Sequence, residues 1–167
     1  MRSSIGIAMH ASPAVVFGLA SDVRRWPERL PHYRRVVAER RTNDGHLVAR
    51  MVALRAVGPL AIPVTWRAEQ WSDDSDPAEL RIHFRHIRGI TSGMRVTWRI
   101  TPIAAGAHVT IEHDFSRRLP LVGDAFLPRL VDRWFTRPIA TRTLRTFRGL
   151  AESAASSGAA GAPRGAG

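Results

Sequence analysis

The sequence predicts an α+β domain, in which a curved antiparallel sheet of about seven strands wraps around one long C-terminal helix, with two short helices after the first strand. Up to residue 115, apolar residues mostly recur at every second position between turns, which is the pattern of half-buried strands. After residue 115 the spacing changes to three and four, the pattern of an amphipathic helix. One sheet face and one helix stripe bury each other economically.

Length and composition indicate one globular domain. We expect it to span residues 1–152, followed by a disordered Ala/Gly/Ser tail over residues 153–167 that has too little apolar surface to order itself. The absence of cysteine fits a reducing compartment. The N-terminal apolar residues are interrupted around Ser12-Pro13, which argues against a signal peptide, so we expect a cytoplasmic protein.

The first elements follow from local signals. Residues 3–9 predict a strand, and Ser12 followed by Pro13 predicts the capped start of a helix over residues 13–20. The next stretch, DVRRWPERLPHY over residues 22–33, has two prolines and therefore predicts a bent connector of very short helical pieces. Its bulky side chains need a buried place.

Six further strands are predicted, joined by turns that include Asn43-Asp44-Gly45 and Ala105-Gly106. They cover residues 34–41, 46–56, 62–71, 79–87, 92–102 and 107–115. The last helix carries its apolar stripe from Leu127 to Leu150, and Pro138 predicts a kink or break in it.

The net charge of +11 comes from arginine alone, because all 25 basic residues are Arg. Such an excess favours an acidic partner, and the alternatives are an acyl carrier protein, an anionic membrane surface or a solvated basic face with no partner. The residues considered for this surface are Arg24, Arg25, Arg34 and Arg133. Nucleic acid is not expected, since the arginines are not interleaved with aromatic residues in a motif.

Two histidines fall where apolar residues are expected. His86 shares a strand face with Ile82 and Phe84, and His113 shares one with Val109 and Ile111. Each is either a general acid/base or ligand anchor, or an ordinary satisfied core histidine. No cofactor motif is present, and no metal site is expected because His83 and His86 face opposite sides of their strand.

Several motifs together resemble the START-like (SRPBCC) superfamily with its helix-grip fold, and more narrowly its polyketide cyclase/dehydrase and coenzyme-Q-binding group. These motifs are Ala11-Ser12-Pro13, the connector, RHIRG at residues 85–89 and the closing IATRTLRTFRGLAE. The resemblance covers roughly residues 3–152. It implies a hydrophobic cavity of several hundred cubic ångströms between sheet and helix, roughly 300 or more, with the connector forming one wall.

The resemblance also assigns site residues. Tyr33 and Trp66 match the tyrosine and tryptophan of aromatase/cyclases, whereas Ala68 and Gln70 stand where those enzymes have Ser and Arg. The position of a further arginine matches Arg85 by spacing and His86 by strand alternation. We therefore expect Tyr33, His86 and Gln70 as catalytic donors or acid/base groups. The expected ligand-binding residues are Trp66, Trp98, Phe84, Met51, His113, Arg85 and Trp134.

The leading hypothesis is a domain that binds an aromatic or polyketide-like molecule and catalyses its cyclisation or dehydration, as a monomer or homodimer. The alternative is a non-catalytic carrier or chaperone for a quinone or another lipid, which the loss of Ser and Arg at Ala68 and Gln70 favours. A third possibility is a ligand sensor without chemistry.

Overall fold

The structure is a computed structural model that describes residues 2–115 and 136–160. Its strands form one antiparallel sheet. They are β1 (Arg2–Met9), β2 (Tyr33–Arg41), β3 (Leu47–Val57), β4 (Leu60–Asp73), β5 (Leu80–Gly89), β6 (Met94–Ile103) and β7 (Gly106–Phe115). The helices are α1 (Pro13–Ser21), a 3₁₀ turn (Val23–Arg25), α2 (Trp26–Arg29) and α3 (Arg137–Ala160).

The sheet has seven strands in the order β1-β7-β6-β5-β4-β3-β2, so the first two strands of the chain form its opposite edges. The predicted curved antiparallel sheet and the helix-grip arrangement are thereby confirmed. The β3–β4 hairpin is longer than its neighbours. It pairs as far as Val57↔Leu60, whereas β5 joins β4 only from Trp66 onward and β2 joins β3 only up to Ala53. The hairpin end therefore extends beyond both flanking strands.

The short helices start as their sequence predicts. Ser12 caps α1, its hydroxyl accepting a hydrogen bond from the Val15 amide at 3.4 Å, and Pro13 occupies the first turn, where its missing donor costs nothing. After the 3₁₀ turn, α2 ends at Arg29, before Pro31. The Trp26 indole nitrogen donates to the Ala20 carbonyl at 3.0 Å, which fixes the buried tryptophan against the end of α1.

Helix α3 closes the concave face of the sheet with an apolar stripe that includes the buried Leu144, Phe147 and Ala151. Pro138 lies in its first turn, and the residues before Thr136 on which the predicted kink also depends lie outside the described part of the chain. None of the described helices is both long and apolar enough to cross a membrane.

Helix α3 extends beyond the expected end of the folded domain. The sequence predicts a disordered tail from residue 153, whereas α3 continues to Ala160. The added turns are anchored by Ala155, which packs against the core, and the Ser156 and Ser157 hydroxyls donate to carbonyls one turn earlier. Small residues suffice here because a helix already anchored by tertiary contacts can propagate without a large apolar face of its own.

Candidate functional site

A cavity of about 80 Å³ lies between the concave face of the sheet and α3. Its described walls are aromatic and aliphatic, with a few neutral polar groups, and contain no charged residue. The expected residues that line it are Tyr33, Met51, Trp66, Phe84, His86, Trp98 and His113. Trp134 lies outside the described residues.

The cavity is smaller than the several hundred cubic ångströms expected, because the connector fills much of the space. The Trp26 ring centroid lies 4.9 Å from Tyr33, 5.7 Å from Phe84 and 5.8 Å from Trp98. Phe147 of α3 meets the same indole at 5.9 Å. The connector thus supplies a wall, as the resemblance implied, but its tryptophan projects into the middle of the core.

Tyr33 belongs to a buried polar cluster that joins the connector to α3. Its phenol hydrogen-bonds Thr143, and the His32 Nε2 atom lies 2.8 Å from the same Thr143 hydroxyl. Burial raises the pKa of Tyr33 despite the bond to Thr143, so the phenol stays protonated and can donate. Burial, assisted by the positive charge of Arg142, lowers the pKa of His32 to about 4.

His86 is a neutral imidazole in the cavity wall. Its Nδ1 atom lies 2.7 Å from the Thr91 hydroxyl, and its ring stacks on Trp66 with centroids 5.8 Å apart. Desolvation, reinforced by nearby His113, lowers the pKa of His86 to about 3. At neutral pH it therefore offers one ring nitrogen to a ligand without carrying charge.

Trp66 adds a donor to this wall. Its indole nitrogen is buried and has no hydrogen-bond partner among residues 2–115 and 136–160. A buried donor without an acceptor costs free energy, and a ligand oxygen that accepts this hydrogen bond would recover it.

Two expected site residues lie elsewhere. Gln70 faces inward but sits toward the other end of β4, where its amide donates to the Ser72 hydroxyl at 3.1 Å and approaches the Ser21 carbonyl. Arg85 lies on the outer face of the sheet and forms an ion pair with the buried carboxylate of Glu69, which also contacts His46 at 2.7 Å. Neither residue lines the cavity with Tyr33 and His86.

The structure adds polar residues that the sequence reading missed. Thr91, Thr143 and Thr136 line the cavity, and His32 supports it from behind Tyr33. Thr143 was recognisable in principle, since it lies four residues from both Ile139 and Phe147 on the apolar stripe. Thr91 was not, because it sits in a turn whose contact with His86 depends on tertiary structure. Among the described residues, no three acidic, His or Cys side chains cluster as metal ligands would.

The fold and cavity define a helix-grip domain with an aromatic-walled site between the sheet and α3. A family model described as "Polyketide cyclase / dehydrase and lipid transport" matches residues 9–139, and the chain belongs to that family. The resemblance recognised in the sequence is thereby confirmed. No curated protein sequence matches the chain significantly.

Solved structures of similar fold include the ZhuI aromatase/cyclase from Streptomyces sp. R1128, with 21% identity, a TM-score of 0.69 and coverage of 91% of this chain and 93% of that one. A START superfamily protein from Mycobacterium smegmatis has 15% identity, a TM-score of 0.66 and coverage of 91% and 97%. The di-domain aromatase/cyclase StfQ of the steffimycin biosynthetic pathway has 19% identity, a TM-score of 0.70 and coverage of 93% and 52%. At these identities the likeness shows the fold.

Proposed function

We propose that the protein binds an uncharged aromatic or polyketide-like molecule in the inner cavity and promotes its cyclisation or dehydration there. The observation that carries the proposal is the composition of the cavity wall. It combines aromatic faces with hydrogen-bonding groups, among them those of Tyr33, His86 and Trp66, and the described lining residues include no Asp, Glu or Arg. Such a wall favours flat, carbonyl-bearing ligands over ions.

The chemistry would be an intramolecular aldol condensation. His86 would accept a proton from a methylene between two carbonyls, the resulting enolate carbon would bond to a more distant carbonyl carbon, and protonated His86 would return that proton to the new alkoxide. Removal of the second proton from the former methylene, with protonation of the new hydroxyl group, would then expel water and form a carbon–carbon double bond. Tyr33 would donate a hydrogen bond to the oxygen on which negative charge develops. A ligand larger than the present cavity would also require wall side chains such as Trp26 to move aside.

Tyr33→Phe and His86→Gln test this role. Incubation with a poly-β-ketone thioester mimic, followed by mass spectrometry of the products, should show turnover by the wild type and at least about tenfold slower turnover by each variant. Affinity for 2-naphthol, an uncharged probe for the cavity, should change less. Gln70→Ala is the matched control, since Gln70 is inward-facing but lies away from the cavity. Equal rates in all four proteins would remove Tyr33 and His86 from the reaction.

A non-catalytic carrier of a quinone or another lipid is the second candidate. The lowered pKa of His86 favours it, since an imidazole with a pKa of about 3 is a weak base. Ala68, which pairs with His86 across the strands, adds no polar group. A carrier should bind menadione without converting it or the thioester mimic, and both variants should then alter affinity alone. Native mass spectrometry of protein purified from its own host would identify a co-purifying ligand.

An acidic acyl carrier protein is the partner that suits the cyclase. The outward face of α3 presents Arg142, Arg145 and Arg148, which are exposed and form no ion pair among the described residues. Like charges at this spacing repel, so an acidic partner would relieve a cost within the helix. Binding of a carrier protein should weaken with salt, and Arg145→Gln should weaken it further at low salt. If neither salt nor Arg145→Gln changed the affinity for the carrier protein, an acidic carrier protein would be contradicted as the partner.

A further inference from the structure

The end of the β3–β4 hairpin is apolar and exposed. Residues 56–64 read AVGPLAIPV and carry no charge, and Leu60 and Ile62 are 65% and 44% exposed. Ile90, 45% exposed, lies in the β5–β6 turn. Gly89, the residue before Ile90, pairs with Trp66 of β4 so closely that an added Cβ would lie 2.7 Å from the Thr65 carbonyl oxygen. We call residues 58–63 with Ile90 the apolar tip.

The apolar tip projects from the rest of the sheet. Among the described residues, the pair Ala56↔Ala61 has no strand beside it on either side, because β5 and β2 end earlier. Large aliphatic side chains that are exposed on a projecting hairpin remain in contact with water instead of being buried against other apolar side chains. Their clustering therefore indicates a contact surface.

Charge is distributed unevenly around the apolar tip. The sequence has no Asp or Glu between Asp44 and Glu69, nor between Glu79 and Glu112. These two segments form the end of the β3–β4 hairpin and the β5–β6 turn. Arg34 and Arg35, on β2 beside the hairpin base, are exposed and form no ion pair within the described part of the chain; the same holds for Arg88 on β5. The opposite end of the sheet carries the acidic turns, with Asp44, Asp73, Asp74 and Asp76.

A second copy of the chain fits this surface less well than a membrane does. An unpaired hairpin edge would recruit another strand through its backbone donors, but Pro59 and Pro63 lack that donor. Apolar side chains flanked by arginines match the boundary of a bilayer, where aliphatic groups enter the acyl region and cations meet anionic headgroups.

We propose that the protein docks on anionic membranes through the apolar tip, with Arg34, Arg35 and Arg88 against the headgroups. The proposal is independent of what the cavity binds and of whether turnover occurs. Docking in this orientation brings the cavity toward the bilayer, because Val64 and Thr91 line the cavity and adjoin the apolar tip in the chain. A hydrophobic ligand would then exchange between bilayer and cavity along a short path.

The absence of cysteine allows a direct test on the full chain. A polarity-sensitive dye on Ala61→Cys should report an apolar environment with vesicles containing phosphatidylglycerol, and much less with pure phosphatidylcholine vesicles. The same dye on Asp44→Cys, at the opposite end of β3, should remain in water. In sedimentation with the anionic vesicles, Leu60→Ser/Ile62→Ser should bind at least about tenfold more weakly. Ile103→Ser, which changes an exposed aliphatic residue at the far end of β6, should bind like the wild type.

Three outcomes would overturn the proposal. The first is no binding to anionic vesicles, and the second is salt-sensitive binding that Leu60→Ser/Ile62→Ser leaves unchanged, which would indicate arginine contacts alone. The third is a concentration-dependent dimer that the double variant abolishes, since the apolar tip would then be an interface between copies. The double variant should keep wild-type affinity for 2-naphthol, because neither residue lines the cavity. If the wild type did not bind 2-naphthol, that result would contradict the proposed function but not the proposed docking on membranes.

Discussion

Thr143 is the residue on which two buried polar side chains depend. One hydroxyl on α3 serves both the Tyr33 phenol and the His32 imidazole, and no charged group assists in the cavity wall among the described residues. A hydroxyl can donate one hydrogen bond and accept others, so it can serve both partners at once. The orientation of Tyr33 in the cavity therefore depends on a residue of another element.

Thr143→Val should destabilise the fold by about 2–4 kcal/mol, because it keeps the volume but leaves two buried polar groups without a partner. Thr146→Val, on the same helix, is the matched control. Among the described residues its hydroxyl bonds only to the Arg142 carbonyl, at 3.0 Å, so its loss should cost less than about 1 kcal/mol. Urea denaturation of both variants measures the difference. Similar losses in the two would show that Thr143 does not hold the cluster.

Sequence reasoning located cavity residues where strand alternation was regular. Trp66, Phe84, His86, Trp98 and His113 all line the cavity, because a period of two fixes which face a side chain takes. It failed for Gln70 and Arg85. Gln70 faces inward, but facing inward does not specify where along the strand a residue lies. Arg85 was selected by its spacing in the sequence, whereas the alternation of side chains along β5 places its neighbour His86 on the inner face and Arg85 on the outer one.

Among the elements, the β6–β7 turn has the tightest backbone. Gly106 has φ of +140°, and a Cβ there would lie 2.3 Å from the Met9 carbonyl oxygen and 2.8 Å from the Ala11 amide. The turn is therefore pressed against the chain that leads from β1 to α1. Only glycine allows this approach, since both the backbone conformation and the space exclude a side chain.

Gly106→Ala should destabilise the protein by more than about 3 kcal/mol, because the clash is with backbone on a second element and adds to the cost of positive φ. Gly45→Ala, in the β2–β3 turn, has φ of +79° and open space around the added Cβ. It should cost only about 1–2 kcal/mol. Thermal unfolding of the two variants separates the clash from the conformational cost, and equal losses would contradict the close approach.

The elements themselves were largely predictable. Turn residues and the change of hydrophobic period at residue 115 gave the number and order of strands, with ends shifted by a few residues. Two features depended on tertiary contacts: the continuation of α3 to Ala160, and the length of β4 from Leu60 to Asp73. The connector was read correctly as bent, but only the packed core shows that Trp26 occupies the space expected for a larger cavity.

For the molecule as a whole, the buried imidazoles predict acid lability. His32 and His86 have pKa values of about 4 and about 3, below the usual 6.5, so between pH 6.5 and 4 the unfolded chain binds more protons than the folded one. The free energy of unfolding should then fall as the pH is lowered through this window, each histidine contributing a slope approaching about 1.4 kcal/mol per pH unit.

Chemical denaturation at several pH values between 7.5 and 4 would measure this slope, in buffers chosen around the window. His32→Asn should reduce the pH dependence even where it lowers stability overall, since it removes one of the groups whose pKa the fold lowers. An unchanged slope in that variant would show that His32 is not held neutral by the fold.

The burial of Tyr33 also gives the protein an optical property. It is the only tyrosine in the chain, and its phenol has a raised pKa because burial disfavours the anion. Above about pH 10, where a solvated phenol ionises, the folded protein should lack the near-ultraviolet absorbance of tyrosinate, and the band should appear only as the chain unfolds. Alkaline spectra therefore report the fraction of molecules whose connector has left the core, without any added label.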